Sequence, residues 1–133
     1  IAEVELAAFQ LANELLKYDE PIPDFGTRFP SILESCLMTP FQEFGGKSLY
    51  EGLVRKSSVL FYLMIKNHPF KNGNKRIAMM TMFYLLYKNN KWVGVDNQVL
   101  YNFVKWVAAS DPSVKDATIQ AIEKFLGDHL SNL

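Results

Sequence analysis

Two apolar runs constrain this chain more than anything else in it. Residues 59–65 (Val-Leu-Phe-Tyr-Leu-Met-Ile) are hydrophobic throughout, and residues 77–87 carry no charge. The longer run would make roughly 16 Å of helix at ~1.5 Å per residue, well short of the ~20 residues that span a bilayer. Runs of this kind read as buried core helices. The second, extended over 74–89, is apolar nearly all round, which marks it as the central helix, packed by several neighbours.

The stretch that joins them is His68-Pro69-Phe70-Lys71-Asn72-Gly73-Asn74-Lys75-Arg76. A helix that opens here leaves its first backbone N–H groups without intrahelical partners, an arrangement that suits an anion. Gly73 permits backbone angles that let those groups converge. Lys75 and Arg76 put positive charge in the first turn, where the helix dipole disfavours it unless an anion is bound. His68 stands at the entrance to this candidate phosphate loop. A histidine ordinarily titrates near ~6.5, which suits a general base that takes a proton from a hydroxyl near neutral pH. Phosphoryl transfer needs such a base, cationic clamps and usually a metal, and the first two are present. The plainer alternative is a surface loop whose polar residues cap the following helix. Gly45-Gly46-Lys47-Ser48 has the ending of a P-loop, but the leading glycine would fall at Phe41 and no strand precedes it, so that reading is set aside. His129 reads as surface or core filler.

Charge and cysteine content exclude several classes. Fourteen basic and fourteen acidic residues cancel, which argues against nucleic acid as a partner. Neither a signal peptide nor a membrane-spanning run is visible. The single cysteine, Cys36, excludes an internal disulfide and a cysteine zinc cage, and fits a reducing cytoplasm. With 133 residues, 49% of them hydrophobic, the expectation is one soluble domain over 1–133 with a real core. Ile1 in place of Met points to a trimmed N-terminus.

Taken in order, Val4, Ala7, Ala8, Leu11 and Leu15 recur at helical spacing over 3–17. Pro21 and Pro23 end that helix, and 19–28 is an extended connector. Pro30 suits the first turn of a short helix through Leu37, burying Ile32, Leu33 and Cys36 or Leu37, and Thr39-Pro40 stops it. Phe41 to Lys47 is a loop or short hairpin. It is either a connector packed on the core or a flap that pairs with an extended partner segment. Ser48 with Glu51 forms a capping box for a helix through Lys66, along a stripe of Leu49, Leu53, Leu60 and Met64. Asp96 caps a helix that turns Val99, Leu100, Phe103, Val104, Trp106 and Val107 inward. Asp111-Pro112 starts the last helix, with Val114, Ile122, Leu126 and Leu130 inward. The result is an all-α bundle of about six helices with no internal repeat.

Seven defined positions from His68 to Arg76 resemble, in order, the Fic/Doc motif His-Pro-Phe-x-Asp/Glu-Gly-Asn-Gly/Lys-Arg. Leu33-Glu34-Ser35, Thr39-Pro40, Phe44-Gly45-Gly46, Leu49-Tyr50 and Asn67 are similar to the segment that leads into it in Doc-type proteins. The resemblance implies a compact helical Fic/Doc-like domain that uses ATP as substrate, usually with Mg2+. His68 would activate a Ser, Thr or Tyr hydroxyl of a target protein, and Phe70 would anchor the loop in the core. Gly73 and Asn74 would form the anion-holding turn, with Lys75 and Arg76 on the nucleotide phosphates. Phe41, Gln42, Glu43, Phe44, Gly45 and Gly46 fall where the family places its target-docking flap.

Two departures from the pattern bear on chemistry. Asn72 stands where the family has a magnesium-binding acid, and a neutral amide is a poorer ligand for a hard cation. Met79 stands where adenylylating members commonly carry a second arginine, and Lys75 where they usually have glycine. These features resemble Doc, whose type member transfers the terminal phosphate of ATP to elongation factor Tu. Phosphate transfer by a toxin of this kind is therefore the leading expectation. AMP transfer and a catalytically weakened binding module are the alternatives. Thr39 to Glu43 shares the Ser/Thr-x-x-x-Glu spacing of the family's inhibitory helix but continues into Phe44, and reads as coincidence. Restraint would then come from a separate antitoxin or a missing N-terminal segment.

Overall fold

The computed structural model describes residue 26 and residues 28–132. Within them run α1 (Pro30–Met38), β1 (Glu43–Phe44), β2 (Lys47–Ser48), α2 (Leu53–Lys66), α3 (Asn74–Lys88), β3 (Lys91–Val93), α4 (Asn97–Ala109), α5 (Lys115–His129) and β4 (Leu130–Asn132). The fold is all-α, with strands confined to two short antiparallel pairs. The helix read over 3–17 lies outside the described residues.

Local chemistry sets most boundaries. Pro30 occupies the first turn of α1, where its fixed φ is already helical. Asp96 caps α4 by accepting from the Gln98 N–H at 2.8 Å. Asp111 accepts from the Ser113 N–H at 2.9 Å and caps a 3-10 turn, Pro112–Val114, that leads into α5.

Other boundaries depart from the sequence reading. The capping box at Ser48 and Glu51 does not form, because Ser48 pairs with Glu43 in the β1–β2 hairpin. Helix α2 starts at Leu53 instead, after Gly52 at φ 85°, a conformation costly for residues with a side chain. Leu49 is consequently outside the helix and exposed. Thr39-Pro40 does not stop α1 abruptly but tightens it into a 3-10 turn, Thr39–Phe41. Helix α5 ends at His129, and Leu130 opens β4, which pairs with β3 so that Trp92 faces Ser131. Ile32, Val99, Trp106 and Val114, all read as inward, are substantially exposed, and of the pair Cys36 or Leu37 it is Cys36 that is buried.

Helix α2 is the hub. Every residue from Ser57 to Ile65 is buried, and the helix packs on α1, α3, α4 and α5. Helix α3 packs on α2, α4 and β3. It buries Ala78, Met79, Met82, Phe83 and Leu86 along one face while Tyr84 on the other is 62% exposed. An all-round apolar sequence therefore produces a one-sided burial, and the helix wrapped on all sides is the one before the loop.

The C-terminal end of α2 is held from two directions. Lys66 Nζ donates to the carbonyls of Ala108 and Ser110 at the end of α4, a favourable place for a cation. Cys36 of α1 donates its thiol to Leu63 O at 3.5 Å and interacts with the Asn67 side chain. Burial pushes that thiol above its ordinary pKa, and the Asn67 hydrogen bond offsets part of the rise. Cys36 is thus a packed thiol rather than a nucleophile. Among the described residues no helix is long and apolar enough to cross a membrane.

The burial pattern makes a direct comparison within one helix. Leu86→Ala, at 0% exposure, is expected to cost ~2–5 kcal/mol in urea denaturation. Tyr84→Ala should stay within ~0.5 kcal/mol. Equal losses would contradict the one-sided packing of α3.

Candidate functional site

The site begins where α2 stops. The Asn67 N–H still bonds Leu63 O at 2.9 Å, but His68 turns to φ 50°, a left-handed conformation that is sparsely populated outside glycine. Pro69 cannot continue a helix, and its carbonyl accepts from the Phe29 N–H at 2.7 Å. Arg28 and Phe70 form an isolated antiparallel bridge beside that bond. The motif loop is therefore stitched to the chain just before α1. Phe70 is buried, at 4% exposure.

Asn74 closes the loop from the other side. Its Oδ1 accepts from the Phe70 N–H at 2.9 Å, and its Nδ2 donates to Phe70 O at 2.9 Å. One side chain satisfies both polar groups of a buried backbone unit, which would otherwise cost ~1–3 kcal/mol each. The same Nδ2 lies 3.3 Å from His68 Nδ1. Gly73, at φ 72° and ψ 16°, provides the left-handed entry to α3, and its carbonyl accepts the first helical bond from the Ile77 N–H at 3.1 Å. His68, Phe70, Gly73 and Asn74 thus form one unit at the N-terminus of α3.

The cations are distributed unequally around it. Lys71 and Asn72 are exposed at the tip, and Lys75 is half-buried. Arg76 is 1% exposed and belongs to the buried layer beneath the loop. Gly73, Lys75 and Arg76 each make further interactions of their own. Beside the loop, Ser31, Ile32, Ser35 and Asn67 line an open groove of about 390 Å3 between α1 and the end of α2. A second cavity of about 230 Å3, lined by Tyr50, Arg55, Lys115 and Glu123 among others, lies toward the opposite end of α2.

The expected flap, residues 41–46, runs from the end of the 3-10 turn at Phe41 through the first strand and turn of the β1–β2 hairpin. Gly45 and Gly46, at φ 60° and 80°, make its turn, and the Leu49 N–H bonds Gln42 O at 2.8 Å across its base. Phe44 is 85% exposed at the tip and Phe41 is 49% exposed. Glu43 lies in strand β1, so the spacing from Thr39 does not form a helix. The sequence reading missed the pairing of Arg28 and Phe29 with the motif loop. Its one local signal is Pro30, which drives the preceding residue into extended backbone without naming what it pairs with.

The sequence profile of the Fic/DOC family matches residues 6–86, more than half of the chain. This chain belongs to the Fic/DOC family. No curated protein and no solved structure gives a significant match. Fic/DOC proteins are protein-modifying transferases that move AMP or phosphate, and the profile ends inside α3, one residue before Tyr87.

The two departures from the family motif now have positions. Asn72 offers one neutral oxygen from an exposed site, and among the described residues no three His, Cys, Asp or Glu side chains converge to hold a metal ion. This donor set does not fit a divalent cation held by the protein itself, since magnesium is normally bound through carboxylates and substrate phosphates. Met79 is 3% exposed and belongs to the hydrophobic core cluster that also includes Cys36 and Val59.

If Asn74 is what closes the loop, Asn74→Ala should cost ~2–5 kcal/mol, because both Phe70 groups lose their partner while buried. Asn72→Ala, two residues away and exposed, should change stability by less than ~0.5 kcal/mol. Urea titrations of both variants check this, and a loss below ~1 kcal/mol for Asn74→Ala would contradict the pinning.

Proposed function

We propose that the chain is a Doc-like transferase that moves the terminal phosphate of ATP onto a hydroxyl of a protein target. The carrying observation is the joining of His68 to the N-terminus of α3 through Asn74. That contact holds the histidine beside the left-handed Gly73 and the first-turn backbone of α3, where the helix dipole favours an anion. The target hydroxyl oxygen attacks the γ-phosphorus and the bond to the β–γ bridging oxygen breaks. ADP leaves, and the hydroxyl proton passes to His68. The α3 N–H groups, with Lys75, hold the phosphates, and this positioning supplies most of the catalysis. Arg76, buried below, supports the turn from inside and adds its charge at short range.

Phosphate rather than AMP transfer is supported by Lys75 in the family's variable position and by Met79. The latter is packed in the core where the adenylylating pattern has an arginine. The β1–β2 hairpin, with Phe44 exposed at its tip, suits an extended target segment that pairs along its edge. Elongation factor Tu is the first target to test, in a cytoplasmic setting with a separate antitoxin as the restraint. Magnesium would enter with the nucleotide, held by its phosphates.

Incubation with elongation factor Tu and either γ- or α-labelled ATP is expected to move label from the γ position only. His68→Ala should lower the rate by ~10²-fold or more, the usual contribution of a general base. Label from the α position would replace phosphate by AMP transfer. No label from either, with the fold confirmed, would contradict the transferase reading. A gain on Asn72→Asp would then favour a weakened binding module.

A further inference from the structure

The Asn74 amide has only one possible orientation. Its Oδ1 meets the Phe70 N–H and its Nδ2 meets Phe70 O, each at 2.9 Å. Exchanging the two would set donor against donor and acceptor against acceptor. Nδ2 carries a second hydrogen, and His68 Nδ1 lies 3.3 Å from it. An amide nitrogen donates and does not accept. His68 Nδ1 must therefore be the acceptor in this contact and cannot carry a proton while it lasts.

We infer that Asn74 is a positioning residue that fixes the tautomer of His68, leaving the ring neutral with its proton on Nε2. Which nitrogen of a histidine is protonated is set by the hydrogen bond its other nitrogen makes. The second histidine provides the opposite case within the same chain. His129 Nδ1 lies 2.8 Å from Phe125 O, and a carbonyl can only accept, so His129 carries its proton on Nδ1. The chain has two histidines in all, and the structure assigns them opposite tautomers.

The consequence for catalysis rests on the proposed function. With Nδ1 occupied, Nε2 is the nitrogen left to meet a substrate, and in the resting site it is an N–H donor. To accept a hydroxyl proton there, the ring must first release its Nε2 proton to water and take one at Nδ1. That exchange requires the Asn74 contact to open. The hydroxyl proton then moves to the Nε2 lone pair and leaves an imidazolium. Asn74 thus holds the base in its unreactive tautomer until substrate binding displaces it.

Long-range proton–nitrogen correlation spectra of the 15N-labelled protein read both rings directly, at a pH where both are neutral. His129→Gln identifies which signals belong to His68. The expected spectrum shows His68 Nδ1 at the unprotonated shift and Nε2 at the protonated one, with His129 reversed. In folded Asn74→Ala the two His68 shifts should move toward the averaged values of a tautomer mixture. A wild-type His68 with its proton on Nδ1, or already averaged, overturns the assignment. So does an unchanged His68 pattern in folded Asn74→Ala. If that variant does not fold, the wild-type spectrum decides alone. None of these readouts depends on transferase activity, so failure to transfer phosphate and failure of the tautomer lock are told apart.

Discussion

The candidate site depends on one side-chain amide that does the work of a strand. Asn74 takes both the N–H and the C=O of Phe70, two groups that a short loop between helices has no ladder to satisfy. Because Asn74 also opens α3, the loop cannot shift without disturbing the helix start. Phe70 is buried as a result, and His68 is held within hydrogen-bond reach of the same amide. Phe70, the start of α3 and His68 are one mechanical unit.

That unit needs a rigid foundation, and α2 supplies it. Nine successive buried residues, Ser57 to Ile65, leave the helix no freedom to slide. Its final turn is tied to α4 through Lys66 and to α1 through Cys36. The Phe29–Pro69 bond then ties the loop to the chain before α1. The left-handed backbone at His68 is the cost of turning sharply at this point. Such strain persists where the surrounding structure over-determines it.

Much of this was legible in the residues. Apolar runs located α2 and α3, Asp96 and Pro30 marked helix starts, and Gly73 announced a left-handed entry that the structure contains. Local pattern failed where a distant partner decided the outcome. Ser48 looked like a cap, but Glu43 claims it for a hairpin. Leu130 continued a helical stripe, but β3, nearly forty residues earlier, draws it into a strand. Within the motif, Asn74 read as part of an anion-holding turn. Its hydrogen bonds to Phe70 were invisible, because spacing says which residues are near but not which groups are left needing partners. Arg76 read as a phosphate contact for its charge, and only the packing of α3 reveals that it lies in the buried layer.

The measurement that tests the central interaction most directly is amide hydrogen exchange, residue by residue, across the loop. If Asn74 holds Phe70 as described, the Phe70 amide should exchange as slowly as the core amides of α2, although it belongs to no regular element. The amide of Asn72, exposed two residues away, should exchange far faster. Equal, rapid exchange at Phe70 and Asn72 would contradict the account, since a loop that opens freely cannot hold His68 in place.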